Sequence, residues 1–286
     1  MADLHSPFGD GSFPRGPYTV ASRLNVPYGP LPAEVLDLCA PAGMTTPRPG
    51  IVLLHSSGFR GSDKSQSDTR PSCANFASQG FIVANVNYRL APDNTWPAPL
   101  VDAQLAVRWL RAQARQLGLD ANRLCASGPS FGGFLAVFLG VLKWIHPGDE
   151  AGLLSDLSPG VSCVADFFGP VDYDPPAANV TGDLVNTAAG MLGGATPESD
   201  PALYADASPV DAVTRQSAPM LIVQGTQDNT VAPGQSRELQ TALQAVGVPV
   251  EYLSYVGGHE LTGLSFAQEQ ALWAQVLAFH VAYQHP

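Results

Sequence analysis

At 286 residues, with 45% hydrophobic and 14% charged side chains, 28 Gly and 26 Pro, the chain has the composition of a globular protein rich in turns. The formal net charge of −11, with Lys64 and Lys143 as the two lysines, leaves no basic stripe to neutralise a phosphate backbone, so nucleic acid is excluded as an expected partner. No apolar run reaches the roughly 18 residues of a membrane span, and the opening MADLHSPFGDGSFPRG lacks the cationic and apolar regions of a secretory signal, leaving cytoplasm or secretion after processing both open.

In chain order, TVASRLNV and EVLDL flank the turn-forming YGPLP and predict an antiparallel edge after an N-terminal tail over 1–17. Short apolar runs of strand character follow: IVLLH at 51–55, FIVANVNY at 81–88, RLCAS at 123–127, VSCVADFF at 161–168, MLIVQG at 220–225 and VEYLSYV at 250–256. Helical periodicity lies between them. From Pro99, Val101, Leu105 and Trp109 recur at i, i+4, i+8, with Arg108, Arg111 and Arg115 on other faces and Gly118 as the stop. Further helices are predicted over 131–144, 233–246 and 265–284, the last with Leu272, Val276 and Phe279 as its buried stripe. Strand-then-helix alternation predicts an α/β class, a mostly parallel sheet covered on both faces, as one domain over 18–286. Residues 169–209 break the alternation with clustered Pro and Gly, which predicts a lid or pocket-forming insert.

Cys39, Cys73, Cys125 and Cys163 have no CxxC spacing and there is no HExxH, so no metal is expected. Cys125 and Cys163 sit in apolar segments and read as buried, inert thiols; the sequence does not choose among the three disulfide pairings.

Gly128-Pro129-Ser130-Phe131-Gly132-Gly133 holds the one GxSxG of the chain, between a predicted strand and a predicted helix. A nucleophile elbow requires that context, a sharp turn whose glycines leave room for a strained backbone and whose helix N-terminus favours developing negative charge. Read alone, the serine could equally cap the helix. Two residues in the required chain order favour the elbow: Asp228 ends MLIVQGTQD, and His259 lies in VGGHE after VEYLSYV. Ser130, Asp228 and His259 are therefore the predicted nucleophile, acid and base. His5, His146, His280 and His285 lie in the tail, before any plausible acid, on a helix stripe and at the terminus, and make poorer bases.

These motifs resemble the α/β-hydrolase-fold carboxylesterases of the hormone-sensitive-lipase and feruloyl/acetyl-xylan-esterase-like branch, the BD-FAE group. The resemblance runs through NVPYG, VLDLCAPAG, LLHSSGFRGSDK, the block from NVNYRLAPDNTWPAPL to the elbow, FGPVDY, SPVDAV, MLIVQGTQDNTV and GGHE, nearly everything after about residue 18. It implies an α/β-hydrolase fold, the triad above, and serine-esterase chemistry on a small-molecule ester with no cofactor. It also makes His55-Ser56-Ser57-Gly58-Phe59-Arg60 the oxyanion loop, where relatives read HGGGW or HGGGF, so backbone N–H groups of Ser57, Gly58 and Phe131 are the implied oxyanion donors. His55 is then a loop-fixing residue and the paired serines are not nucleophiles. Two departures stand out. Serine in place of glycine disfavours positive φ by roughly 1–2 kcal/mol, and Pro129 with Phe131 replaces a donor and a small residue within the elbow.

An amidase or peptidase on the same fold, arylformamidase-like or prolyl-oligopeptidase-like, would present an identical triad, and a non-catalytic binding relative would be expected to lose a member of it. Arg89 and Asp102 read as an ion pair or helix-end residues; Arg60 and Lys64 read as solvated surface, with the pocket mouth as the alternative. Substrate-binding residues and oligomeric state are left unspecified by the sequence.

Overall fold

The computed structural model describes residues 12–56, 62–65, 70–149, 151–174 and 179–284. Eight strands form one sheet in the order β1-β2-β4-β3-β5-β6-β7-β8. These are β1 (Val20–Pro27), β2 (Val35–Pro41), β3 (Arg48–Leu54), β4 (Ile82–Val86), β5 (Leu119–Pro129), β6 (Cys163–Phe167), β7 (Met220–Gly225) and β8 (Val250–Tyr255). The first two strands form the antiparallel edge that the sequence predicts, β2 runs antiparallel to β4, and every pairing from β4 through β8 is parallel. Strands β4, β6 and β7 are buried at every position, which is why they read as unbroken apolar runs; β8, at the other edge, is buried only at Tyr255.

Two apolar layers cover the sheet. On one face α2 (Ala98–Ala112), α4 (Phe131–Val141) and α7 (Pro233–Ala245) contribute Leu100, Leu105, Phe134, Phe138, Leu239 and Leu243. On the other, α1 (Arg70–Ser78) and α8 (Phe266–Gln284) contribute Phe76, Trp273, Val276 and Phe279. Strand periodicity divides the chain between them: Leu124 and Ala126 of β5 enter the first layer and Cys125 enters the second. Helix α2 runs into the short α3 (Ala114–Leu117), which ends on Gly118 at φ 66°, a left-handed cap that glycine adopts without Cβ strain. No helix among the described residues is long and apolar enough to cross a membrane.

Several side chains differ from their sequence expectation. Cys125 and Cys163 are not free thiols: they face each other in register on β5 and β6 and form a disulfide, and Cys39 on β2 is bonded to Cys73 on α1. Lys64 is not solvated. It is 2% exposed, donates from Nζ to Asn25 Oδ1 at 2.7 Å and pairs with Asp37 at 3.2 Å, so the N-terminal hairpin supplies the partners that a buried ammonium requires. Arg60 lies outside the described residues. Arg108 is also fully buried, because the segment after α4 folds over that face of α2 and offers Asp149 at 2.5 Å. Phe13, assigned to a tail, is buried against Phe76 and Trp273 at ring-centroid distances of 4.8 and 5.4 Å.

Between β6 and β7, the described residues of the insert, 169–174 and 179–209, leave the sheet and include the helices α5 (Gly182–Met191) and α6 (Pro201–Asp206). Each begins on a side-chain cap: Thr181 accepts the Leu184 amide at 3.1 Å and Asp200 accepts the Leu203 amide at 3.0 Å. Side-chain contacts help to fasten the excursion. Trp96 Nε1 donates to Asp206 at 2.7 Å, Oε1 of the fully buried Gln235 accepts the amides of Val171 and Asp172, and the Thr181 hydroxyl donates to the Thr230 carbonyl at 2.7 Å.

Candidate active site

Ser130 sits in the turn between β5 and α4 with φ 51° and ψ −119°, a region that residues with a Cβ rarely occupy. Its neighbours leave the turn little alternative. A Cβ on Gly128 would lie 2.5 Å from the Gly132 carbonyl carbon, and one on Gly132 would lie 2.0 Å from the Leu54 carbonyl oxygen. Only glycine fits at either position, so the sharp turn and its strained serine follow from the GxSxG spacing. Side-chain capping, the alternative role for this serine, is not what the structure has: Ser130 makes no side-chain cap bond to α4. Its amide donates instead to the Phe167 carbonyl on β6 at 2.8 Å. Phe131 is the first residue of α4, so its N–H belongs to the helix-terminal donors that lack an intrahelical partner.

Asp228 and His259, the predicted acid and base, occupy loops after β7 and β8. Asp228 follows β7, and its carboxylate is surrounded by donors: Oδ1 accepts the amides of Thr230 and Val231 at 2.9 Å each, and Oδ2 accepts Gln224 Nε2 at 3.1 Å. Gln224 is itself oriented by the Ser236 hydroxyl at 2.8 Å. His259 follows β8 and brings Nδ1 to 2.7 Å from Asp228 Oδ2. A carboxylate only accepts, so that contact places a ring hydrogen on Nδ1. Two backbone bonds bind the acid and base loops together, Thr226 N–H to the Tyr255 carbonyl at 2.8 Å and Gln227 N–H to the Gly257 carbonyl at 2.9 Å.

Phe167 and its neighbour Phe168 touch the serine and the histidine in turn. The first accepts the Ser130 amide, and the ring of the second lies 4.5 Å from the His259 ring at a 59° tilt. Phe168 is fully buried at φ 45°, a second strained position beside the elbow. No direct hydrogen bond links Ser130 Oγ to the imidazole, a contact that commonly tightens only when substrate is bound.

Of the oxyanion loop, Ser57, Gly58, Phe59 and Arg60 lie outside the described residues. Its entry is firmly held. His55 stacks on Tyr88 at 4.3 Å with the rings 7° from parallel, and the Tyr88 hydroxyl donates to the His55 carbonyl at 2.5 Å. Burial lowers the His55 pKa to about 4, so at neutral pH this ring is uncharged, consistent with a loop-fixing part. On the exit side, the Ser62 hydroxyl donates to the Ser56 carbonyl at 2.7 Å. Arg89 and Asp102 form a bidentate pair, with Arg89 Nη2 to Asp102 Oδ1 at 2.7 Å, as the ion-pair expectation has it. His146 shares Asp206 with Trp96, and His280 is buried in the second core layer, so neither faces the Ser130 turn.

Sequence reasoning missed Gln224, Phe168 and Tyr88 as parts of the site. Tyr88 lies in the YRLAP block and could have been singled out there. Gln224, a polar residue in the apolar run MLIVQG, carries the plainest signal, since a buried amide must find partners.

A Cys125, Cys163 and His280 cluster brings three potential metal-ligand atoms within 4.8 Å, but the two sulfurs are bonded to each other and so are not free as thiolates. The donor set does not fit a metal.

The BD-FAE family model matches residues 36–243. Esterase LipC of Mycobacterium tuberculosis is 30% identical over 244 residues, covering 84% of this chain and 58% of that protein. Esterase LipQ of the same organism is 25% identical over 261 residues, covering 90% and 61%. The chain thus spans about three fifths of the length of these curated relatives. A truncated carbohydrate esterase from gut microbiota superposes with a TM-score of 0.74 at 24% identity, covering 92% of this chain and 98% of that one. Thermogutta terrifontis esterase 2, phosphonylated by sarin, also gives 0.74, at 22% identity, covering 96% and 98%. At such identity the structural likeness speaks to fold, and the matched family model speaks to lineage. The chain belongs to the BD-FAE family, within the carboxylesterase branch of the α/β-hydrolases.

Proposed function

We propose that the protein hydrolyses carboxylic esters of small molecules, with short acyl groups as the favoured class, by acyl transfer through Ser130. The observation that carries this reading is the 2.7 Å contact between Asp228 Oδ2 and His259 Nδ1 in loops adjoining a serine held at φ 51°. Nε2 of His259 takes the proton of Ser130 as the hydroxyl attacks the ester carbonyl, and Asp228 holds the imidazole in the tautomer that leaves Nε2 free. The carbonyl oxygen becomes negative in the tetrahedral intermediate. The amide of Phe131 at the head of α4, with those of Ser57 and Gly58, is the proposed donor set for it. His259 then returns the proton to the departing alcohol, and water repeats the sequence on the acyl-enzyme. The described part of the insert, fastened through Thr181 to Thr230 beside Asp228, is the proposed wall or lid of the substrate pocket.

Esterase names among the curated relatives support an ester over an amide substrate. The same three side chains serve amide cleavage, so the experiment compares a p-nitrophenyl ester with the matched p-nitroanilide, using the parent protein and Ser130→Ala. Ester turnover well above anilide turnover, lost by a factor of at least about 10³ in Ser130→Ala, is the expected outcome. Faster anilide cleavage would favour the amidase alternative, and a fully active Ser130→Ala would remove the mechanism.

A further inference from the structure

The histidine loop has an unusual backbone. Glu260 adopts φ 60° and ψ 35°, and Leu261 follows at φ 59°, two consecutive residues with a Cβ in the left-handed region directly after His259. Such a pair persists only where its surroundings over-determine it. Here the surroundings centre on one hydroxyl. Tyr255 ends β8, four residues before His259; its Oη donates to the Gly258 carbonyl at 2.7 Å and accepts the Leu261 amide at 3.2 Å. The two bonds straddle His259 and Glu260. A third tie, Gly258 N–H to the Thr262 carbonyl at 3.1 Å, closes the same loop from outside.

The phenol is also pressed against the strand that carries the acid. A Cβ on Gly225, the last residue of β7, would lie 3.0 Å from Tyr255 Cζ and 2.6 Å from the carbonyl oxygens of both Gly257 and Gly258. Absence of a side chain at 225 therefore lets tyrosine, histidine loop and acid strand come together. Burial, and then the nearby Asp228 carboxylate, push the phenol pKa up, so the hydroxyl keeps the proton that it donates.

We propose that Tyr255 is a positioning residue for the reaction: its phenol oxygen, bridging the Gly258 carbonyl and the Leu261 amide, fixes the loop that carries His259 and so sets where the imidazole stands relative to Asp228 and Ser130. This assignment rests on the proposed catalytic roles of those three residues. Phe168 supports the imidazole through ring contact, whereas Tyr255 acts on its backbone, and a hydroxyl able to give one hydrogen bond and take another suits the paired carbonyl and amide.

The test is Tyr255→Phe in the full chain, which keeps the ring and removes the bridge, measured on p-nitrophenyl acetate beside the parent and Ser130→Ala. A misplaced base is expected to lower kcat roughly tenfold to a hundredfold while KM stays within about twofold. Labelling of Ser130 by a fluorophosphonate should slow by the same factor, with the far-UV spectrum and cooperative melting retained. A tyrosine that serves stability alone would lower the melting temperature and leave kcat, KM and labelling rate at parental values, which would overturn the proposal. If Ser130→Ala is inactive and a folded Tyr255→Phe is as active as the parent, only the part of Tyr255 fails; if Ser130→Ala keeps its turnover, the triad and the positioning role fall together. Should Tyr255→Phe not fold, hydrogen exchange in the parent decides: a slowly exchanging Leu261 amide sustains the bridge, and exchange as fast as an open loop refutes it.

Discussion

Two buried aspartates at the ends of neighbouring strands meet opposite treatment. Asp228, after β7, is given two amides, a glutamine side chain and an imidazole. Asp166, on β6, lies in the floor beneath the elbow: its Oδ1 accepts the Gly169 amide at 3.0 Å, and Oδ2 is buried without a partner. Its confinement is tight, since a Cβ on Gly133 of α4 would come within 2.3 Å of Oδ1. A carboxylate can carry charge in the interior only where several donors replace its water. The acid loop has that equipment and the floor does not, so burial pushes the Asp166 pKa up to about 8. Since both carboxyls are buried, what distinguishes them is the supply of donors.

The largest effect expected from this contrast is at Asp228. In Asp228→Asn the amide side chain can still accept the Thr230 and Val231 hydrogens, but it presents a donor to His259 Nδ1 and forces the wrong tautomer. Turnover of a p-nitrophenyl ester should fall by roughly 10⁴ with the fold intact, and a loss below tenfold would break the claim that donors around Asp228 exist to hold a charge against the imidazole.

Asp166→Asn should behave in the opposite way, with parental turnover and an altered dependence of stability on pH. The folded carboxyl keeps its proton to about pH 8, whereas an unfolded one loses it near pH 3.8. Between those values the folded state binds more protons, so this group lowers stability as pH rises from about 4 to 8 and adds no slope above that. Urea unfolding of the variant should lack that decline, leaving it more stable than the parent at pH 9 by several kcal/mol. His55 and His280, both lowered to about 4 by burial, act in the reverse sense: the unfolded rings bind the extra protons, so their contribution rises from about pH 4 to 6.5 in either protein. Parallel pH curves for parent and variant would contradict the assigned state of Asp166.

The candidate site is legible in the sequence where a motif must be local. An elbow needs its glycines within two residues of the serine, and the acid and base must each follow a strand, so GPSFGG, TQD and GGHE could be found by spacing and order. The sheet was legible because strands buried on both faces read as apolar runs. Contacts between distant segments were not. Lys64 looks like a solvated cation until Asn25 and Asp37 arrive from the N-terminal hairpin. Arg108 lies on a polar-looking face of α2 that Asp149 and the Leu153 carbonyl happen to cover. The two disulfides depend on register, Cys125 opposite Cys163, and on the packing of α1 against β2, neither of which a cysteine count supplies. Helix α5 buries Leu184, Ala188 and Met191 at i, i+4 and i+7, and that spacing, with the caps Thr181 and Asp200 and with Pro201 after the latter, was a signal that the Pro and Gly content of the insert obscured. Tyr255 reads simply as an aromatic residue in an edge strand, because nothing in VEYLSYVGGHE tells that a phenol spans the loop beyond it.

The most direct measurement is the site of covalent capture. Treating the protein with a fluorophosphonate and mapping the adduct by peptide mass spectrometry should find it on Ser130, with labelling lost when His259 is replaced by alanine. An adduct on Ser56 or Ser57, or capture of Ser130 that proceeds equally well without the imidazole, would contradict an elbow serine activated by the Asp228–His259 pair.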